Sequence, residues 1–461
     1  MVILKNSTRE SAKIGQAIDT QFQTGGDPWL AVDIGTTTVV VDLYTSYGEL
    51  VATLAEDNAQ GTYGSDVMMR LMHVKEGRGD LLVQRIREQI FQMGSKLICK
   101  WKSLFAQTVP VQMAVVGNTV MCHLFLQKDV TGLMGAPFSA AYEGSYTLLG
   151  KDVGWKDWNT LAITVLPGIA AHVGADAAAM LGNLRMWDAD KIQLAVDLGT
   201  NAEILLDLGT NGEMALRTNT GIYVTSTAAG PAFEGRGISH GRRARAGVIN
   251  AVKLFRGAGN IELTLVSARE QNDQKPIGIC GSGLVDLLAA LRRHQVMTSD
   301  GCLLSGEEAM QINSARPFAD CLTTDVKGER QFVLYDDIVL TQQDIRSVQL
   351  AKAAIQSGMM LLLEQAVVSV EDIQELYVAG VFGGFVNPGS AKQMGLLPSI
   401  DDKKIIFVGN AAGKGAGEAL CDPKFIDMLQ EHIADIHHIE LAEQAKFTQV
   451  YMDSMEIAPW H

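Results

Sequence analysis

One phrase of eight residues occurs twice, and it constrains the fold more than any other stretch of the chain. Residues 30–37 read LAVDIGTT and residues 194–201 read LAVDLGTN, 164 positions apart and identical at six of eight positions. Each copy carries an apolar strand to a carboxylate, turns through Gly-Thr and resumes an apolar run, TVVVDLY after the first and AEILLDL after the second. A further Gly-containing turn follows each, at Tyr47-Gly48-Glu49 and at Asn211-Gly212-Glu213. Strand, turn, strand, turn, strand is a β-meander. Its recurrence at this distance predicts two halves of common design.

The chemistry of the phrase follows from its residue types. Gly35 and Gly199 let the backbone approach a ligand closely. Thr36, Thr37, Thr200 and Asn201 are small and leave the N–H groups of each turn open, so each turn can nest phosphate oxygens. Asp33 and Asp197 stand where a strand leaves the core, and either can hold a hydrated Mg²⁺, which prefers one or two carboxylates plus phosphates. Two such turns facing one another would grip a polyphosphate from both sides. A plain hairpin turn explains one Asp-x-Gly-Thr, but not two in matching frame.

With 461 residues the chain exceeds what a single core covers, so at least two lobes are expected. A composition of 47% apolar and 20% charged residues is globular. The net charge of −14 argues against nucleic acid and against anionic membranes as partners. The densest basic cluster, GRGISHGRRARAG, is local and reads as a contact for a phosphate or a partner protein. No apolar run has membrane-spanning length and the first residues lack a signal-peptide core, so a cytoplasmic location is expected. The six cysteines show neither C-x₂-C nor C-x₄-C-x₂-C spacing, so no iron–sulfur cluster is expected in this chain.

Taken in order, residues 1–28 read as an N-terminal arm or linker, and strands are expected near 29–34, 37–44 and 49–55. Ser65 or Asp66 is placed to cap a helix, a long amphipathic helix follows around 80–104, and 111–126 reads as strand, Val-Gly-Asn turn and helix. Residues 166–184 repeat that logic with a Gly/Ala-rich helix. The second half is expected to carry strands at 193–198, 201–208 and 212–217, then the Gly-rich loop 226–241 with Glu234 and Arg236, which reads as ligand-facing. An insertion is expected at about 247–340, holding the turn GICGSG and a helix over 283–294. That turn divides evenly between an anion site at a helix N-terminus and simple close packing. Thr341 is the expected cap of a long helix over 340–366, and 403–420 reads as strand, Gly-Asn turn and Gly/Ala helix. His437-His438 reads as surface loop. The halves are drawn as 29–188 and 189–420, with 421–461 as a tail packed on the body. The small-residue helices are expected to cross closely, as a hinge. In AGVFGGF, glycines 380, 383 and 384 remove Cβ atoms that would block a base or ribose, a weak signal alone.

In this order the motifs resemble the acetate kinase, sugar kinase, Hsp70 and actin superfamily. The resemblance implies an α/β, two-lobed actin-like (ribonuclease H-like) ATPase fold, with duplicated mixed-sheet domains around a nucleotide cleft. It implies ATP and Mg²⁺ as ligands. Asp33, Gly35, Thr36 and Thr37 match the first phosphate turn, Asp197, Gly199, Thr200 and Asn201 the second, and Gly380, Gly383 and Gly384 the adenosine turn. Asp33 and Asp197 become the expected catalytic and metal-holding carboxylates. The phrases VVGNTVMCHLFL, GAPFSA, LPGIAAHVGAD, STAAGPAFEGRGIS, PIGICGSGLVDLL, LTQQDIRSVQLAKAAI, YVAGVFGG and GLLP look more narrowly like the ATP-dependent reductive activators of corrinoid proteins. Those return inactive cobalt(II) to cobalt(I) at the expense of ATP. The resemblance runs from about residue 29 to about 420. It implies a corrinoid protein as partner and a homodimer. Activators of this family usually carry an iron–sulfur domain, so a separate, ferredoxin-like electron donor is expected here. The competing expectations are a small-molecule kinase of the same superfamily and a nucleotide-gated module that binds a corrinoid protein.

Overall fold

The computed structural model describes residues 2–6, 22–142, 144–209, 221–257, 259–267, 275–380 and 386–460. After β1 (Val2–Asn6), the first repeat forms β2 (Pro28–Ile34), β3 (Thr38–Thr45) and β4 (Leu50–Asp57). Helices α1 (Val67–His73) and α2 (Gly79–Lys100) follow, β5 (Gln112–Gly117) runs into α3 (Thr119–Leu126), and β6 (Tyr146–Leu149) and β7 (Ala162–Val165) lead to α4 (Ala175–Leu184). The second repeat supplies β8 (Gln193–Leu198), β9 (Ala202–Asp207) and β10 (Ile222–Thr227). Then come β11 (Ile249–Phe255), β12 (Asn260–Leu265), α5 (Gly281–Arg293), α6 (Gly306–Met310), β13 (Leu322–Thr324), β14 (Arg330–Tyr335), β15 (Ile338–Thr341) and α7 (Gln342–Ala366). The chain closes with β16 (Glu375–Ala379), α8 (Pro388–Gln393), β17 (Ile405–Gly409), α9 (Ala411–Cys421), α10 (Phe425–Ile433), β18 (His437–His438) and α11 (Phe447–Asp453).

The duplication read from the phrase is present in the sheets. One sheet has the order β4-β3-β2-β5-β7-β6 and the other β17-β16-β8-β9-β10-β18. In each, a three-strand antiparallel meander is extended from its first strand by two parallel strands: β5 and β7 beside β2, β16 and β17 beside β8. In a parallel set the strands end together at one sheet edge, where ligands collect. Asp33 and Asp197 lie within the last two residues of β2 and β8, beside Val116 of β5 and Ala379 of β16.

Local chemistry sets the helix starts. Asp66 accepts from the Met69 amide at 2.9 Å to cap α1. Thr341 and Asp344 form a reciprocal capping box for α7. Asn118 and Asn410 cap α3 and α9 by accepting from the Met121 and Gly413 amides. Two placements differ from expectation. The first residues of the expected arm form β1, which pairs in parallel with β12, hundreds of positions away. His437 and His438 form β18 alongside β10, because the Ile439 amide reaches the Val224 carbonyl and the His437 ring packs on Tyr223. The strand expected at 212–217 lies outside the described residues, and β10 pairs with β9 as the third strand of the meander.

Two large apolar cores form, one under each sheet, and α4 and α9 pass between them. Ala412, Ala416 and Leu420 of α9 bury in the core of the first sheet, although α9 follows β17 of the second. Ala177, Met180 and Leu181 of α4 pack with Ala195 and Leu205 of the second sheet, although α4 follows β7 of the first. Each helix thus ties one half to the other.

Candidate functional site

The two repeated turns meet. Thr37 Oγ1 and Thr200 Oγ1 are hydrogen-bonded at 2.6 Å, a buried contact spanning 163 positions of sequence. Both turns line one cleft of about 180 Å³. Asp33, Gly35, Thr36, Thr37, Asp197, Gly199, Thr200, Asn201 and Gly380 all lie on its wall, while Gly383 and Gly384 fall outside the described residues. Behind the first turn, Asn118 Nδ2 donates to Thr36 Oγ1 at 2.9 Å and Asn58 Nδ2 donates to the Gly35 carbonyl at 2.8 Å. Behind the second, Thr200 Oγ1 donates to Glu234 Oε1 at 2.7 Å. The turns are held by side chains from their own halves and joined to each other by one hydroxyl pair.

The cleft gathers five carboxylates: Asp33, Asp176, Asp197, Glu203 and Glu234. Glu203 lies directly across the β8–β9 ladder from Asp197, a like-charge pairing that a sheet does not favour by itself. Burial, then the charge of Asp176 and Glu234, pushes the Asp197 carboxyl up to about 7. Burial raises Asp176 to about 6. Asp33 and Glu203 stand well above the usual carboxylate range, through burial and through the charges of their acidic neighbours, Asp176 first. Burial also lifts Glu234, against the hydrogen bond from Thr200. Acids collected this way await a cation. Among the described residues no three His, Cys, Asp or Glu side chains converge closely enough to enclose an ion. Mg²⁺ asks for less, one or two carboxylates completed by water and phosphate, so Asp33 and Asp197 on the cleft wall are the candidates to hold it.

A pH dependence follows. The folded acids hold protons that the unfolded chain gives up near 3.8. Raising pH through about 4 to 7 therefore strips protons from the folded state at a cost in stability. For Asp197 alone the full shift corresponds to about 4 kcal/mol, an upper figure. Thermal melts of the ligand-free protein should fall by on the order of a few degrees from pH 6 to pH 8. Saturating Mg²⁺ and nucleotide should narrow that gap; a melting point that rises over the same interval would contradict it.

Other walls of the cleft come from segments of both halves. Gly380 ends β16 at φ +95°, and a Cβ there would stand 2.6 Å from the Leu198 carbonyl and 2.8 Å from Asp197 Oδ1. Its bareness lets the end of β16 pack against the second turn. The start of α5, Cys280 to Ser282, opens on the cleft, so the GICGSG turn stands beside the candidate site. Arg242 and Arg243 line it as well, and Asp57 at the end of β4 is gripped by Arg243 at 2.8 Å and Arg236 at 3.2 Å. The basic cluster thus spans the two halves. Exposed pairs of this kind contribute about 0–1 kcal/mol each, so the bridge can open readily.

Sequence reasoning did not single out Asn118, Asp176, Glu203 or Asn410, all on the cleft wall. For the two asparagines a signal existed. The triplet Val-Gly-Asn occurs at 116–118 and again at 408–410, each ending a parallel strand and opening a helix. The Asn410 amide faces Asp33 and lowers its proton affinity somewhat.

The family pattern for the C-terminal domain of RACo, its ASKHA domain, matches residues 204–461, and that for the RACo middle region matches residues 29–189. The chain belongs to the RACo family. Like its relatives in this family, it has the ASKHA fold, two actin-like lobes of mixed sheet around a cleft. It is 33% identical over 435 residues to a corrinoid activation enzyme, RamQ, of Eubacterium limosum, with 92% of this chain and 69% of that protein covered. It is 24% identical to a [Co(II) methylated amine-specific corrinoid protein] reductase of Methanosarcina barkeri, over 94% of this chain and 77% of that protein. Among solved structures it is similar to a reductive activator for corrinoid, iron–sulfur protein, with a TM-score of 0.81 and 29% identity over 95% of this chain and 67% of that one. No described helix is long and apolar enough to cross a membrane.

Proposed function

We propose that this protein is a cytoplasmic, ATP-dependent activator that assists one-electron reduction of the cobalt(II) state of a corrinoid protein to cobalt(I). The hydrogen bond between Thr37 and Thr200 carries the reading, because it brings two Asp-x-Gly-Thr turns to one acid-lined cleft in a RACo-family chain. The nucleotide's phosphates lie between the turns, held by their N–H groups and by the Thr36, Thr37 and Thr200 hydroxyls. Asp33 and Asp197 hold Mg²⁺, which neutralises phosphate charge when bound. Gly380, Gly383 and Gly384 are the residues we assign to the adenosine. Residues 29–188 and 189–420 act as the two lobes and close on the nucleotide. Phosphoryl chemistry of this type needs positioning and charge neutralisation rather than a covalent enzyme intermediate. Asp197 is our choice for the group that orients the attacking water.

In this reading the electron comes from a separate, ferredoxin-like donor. ATP serves as the conformational drive. For one electron about 59 mV equals about 1.4 kcal/mol. A coupling of about 1–3 kcal/mol therefore offsets only about 40–130 mV. A wider gap requires the docked activator to change the cobalt's axial ligation, so that the cobalt(II) absorption spectrum shifts on mixing the two proteins. The homodimer implied by family resemblance is retained as part of this reading.

The test follows ATP hydrolysis with and without a cobalt(II) corrinoid protein and a chemical reductant, reading the cobalt(I) band in the same cuvette. Cobalt(I) should form only when both proteins and ATP are present. Transfer of labelled γ-phosphate to a metabolite, or reduction indifferent to ATP, would overturn the proposal.

A further inference from the structure

The two phosphate turns offer an internal comparison, because the same carbonyl is held in different ways. In the second turn the Thr200 carbonyl accepts from the Gly230 backbone amide at 2.7 Å. In the first, the equivalent Thr36 carbonyl accepts from the Arg70 guanidinium. A neutral donor therefore suffices to fix this turn, and the first half uses a cation instead. Arg70 is 1% exposed. Its other donors go to the Gln60 side-chain oxygen at 3.1 Å, the Gly64 carbonyl at 3.3 Å and the Met121 sulfur at 3.0 Å, all uncharged acceptors. Among the described residues no carboxylate lies within ion-pair distance of it. Asp66, an acid that acts on it, caps α1. Arg236 is close enough to repel it.

A buried guanidinium without a counter-ion is costly unless something anionic completes it. Of the five acids of the cleft, Glu203 and Glu234 stand at the second turn and belong to the second half, while Asp33 and Asp176 come from the first. The first half has Val40 where the second has Glu203, each directly across its ladder from the turn's aspartate. The first turn is thus backed by the Arg70 guanidinium, whereas Glu203 and Glu234 stand at the second. On the nucleotide reading above, we infer that Arg70 is a positioning residue that favours phosphate charge at the first turn of the cleft, acting through the Thr36 carbonyl. Arg70 does two things there. It orients the Thr36 peptide so that its carbonyl points away from the cleft, and it places a fixed positive charge behind the phosphates at low dielectric, where the attraction is strong. The ligand that it selects is a nucleoside polyphosphate; a neutral nucleoside gains nothing from it.

The measurement is the ratio of Kd for adenosine to Kd for ATP with Mg²⁺ on the full chain, compared among native protein, Arg70→Gln and Arg70→Lys. Arg70→Gln keeps a donor for Thr36 and removes the charge, so the ratio should fall by about tenfold with adenosine binding unchanged. Arg70→Lys keeps the charge and should restore the ratio to within about threefold of native. A role in packing alone would weaken both ligands together, and an unchanged ratio in a folded Arg70→Gln protein overturns the inference. Should that variant not fold, Gln60→Glu seats a carboxylate on the same guanidinium, at the expense of the Gln60–Leu82 hydrogen bond. The ratio must again fall, and an unchanged one overturns the inference. Native protein that binds no ATP would remove the nucleotide reading itself, an outcome separate from the failure of Arg70.

Discussion

Asp197→Asn should lose ATP hydrolysis by about 100-fold or more while raising the melting temperature of the ligand-free protein. The two effects share one cause. Asp197 faces Glu203 across the ladder and feels Asp176 and Glu234 as well, so its negative charge is opposed by neighbours and by burial. Asparagine has the same shape without the charge, and relieves that repulsion when no cation is present. The same substitution removes the group proposed to hold Mg²⁺ and orient water, and the loss of one such electrostatic group costs about 10²–10³ in rate. Adenosine binding should survive, because its subsite does not use that charge. Steady-state hydrolysis, thermal melting and adenosine titration check the three parts. Native-rate hydrolysis by the variant would remove Asp197 from the chemistry. A lowered melting point would show that the acid cluster stabilises the ligand-free fold, contrary to the reasoning here. Opposite signs for stability and activity are what a functional site retained at the expense of stability displays.

How far such a site is legible in a sequence depends on the range over which its parts act. Hairpins, caps and repeats are decided within a few residues, so the first meander, a cap at Ser65 or Asp66 and the Thr341 cap could be read directly. The pairing of the two halves was legible only because the phrase recurs. Glu203 is different: it sits inside AEILLDL, an apolar run whose pattern marks a buried strand and hides the one acid that faces a cleft. Asp176 lies in a Gly/Ala helix and Arg70 in the short α1, and nothing near either in sequence marks the cleft for the one or burial for the other. Whether a buried charge has a partner is a tertiary fact. The same limit applies to β1, whose mate β12 lies hundreds of residues later. The Val-Gly-Asn recurrence was readable, and it points to the asparagines that the single turns left unassigned.

The second large effect concerns the helices that join the halves, and it sets helix propensity against packing. Gly415→Ala should destabilise the protein by about 2–4 kcal/mol. On propensity alone alanine would stabilise a helix interior by about 1 kcal/mol. In α9, however, a Cβ at position 415 would overlap the Ala179 carbonyl of α4, and a backbone atom cannot turn aside. The helices must separate, and with them Ala412 and Ala416 leave the first core while Ala177 and Leu181 shift against the second. Packing therefore outweighs propensity. Gly417→Ala offers a graded comparison, because its Cβ would meet the Tyr44 side chain, which can move. Its cost should be smaller than that of Gly415→Ala, though still a loss. Denaturant unfolding measures both. Since α4 and α9 each bury in the core opposite to the one they follow, Gly415→Ala should also weaken ATP binding without touching the cleft wall. A Gly415→Ala protein of native stability, or one that loses stability yet keeps native affinity for ATP, would mean that the crossing does not transmit lobe position to the site. The Thr37–Thr200 bond would then have to hold the halves in register without the helices beneath it.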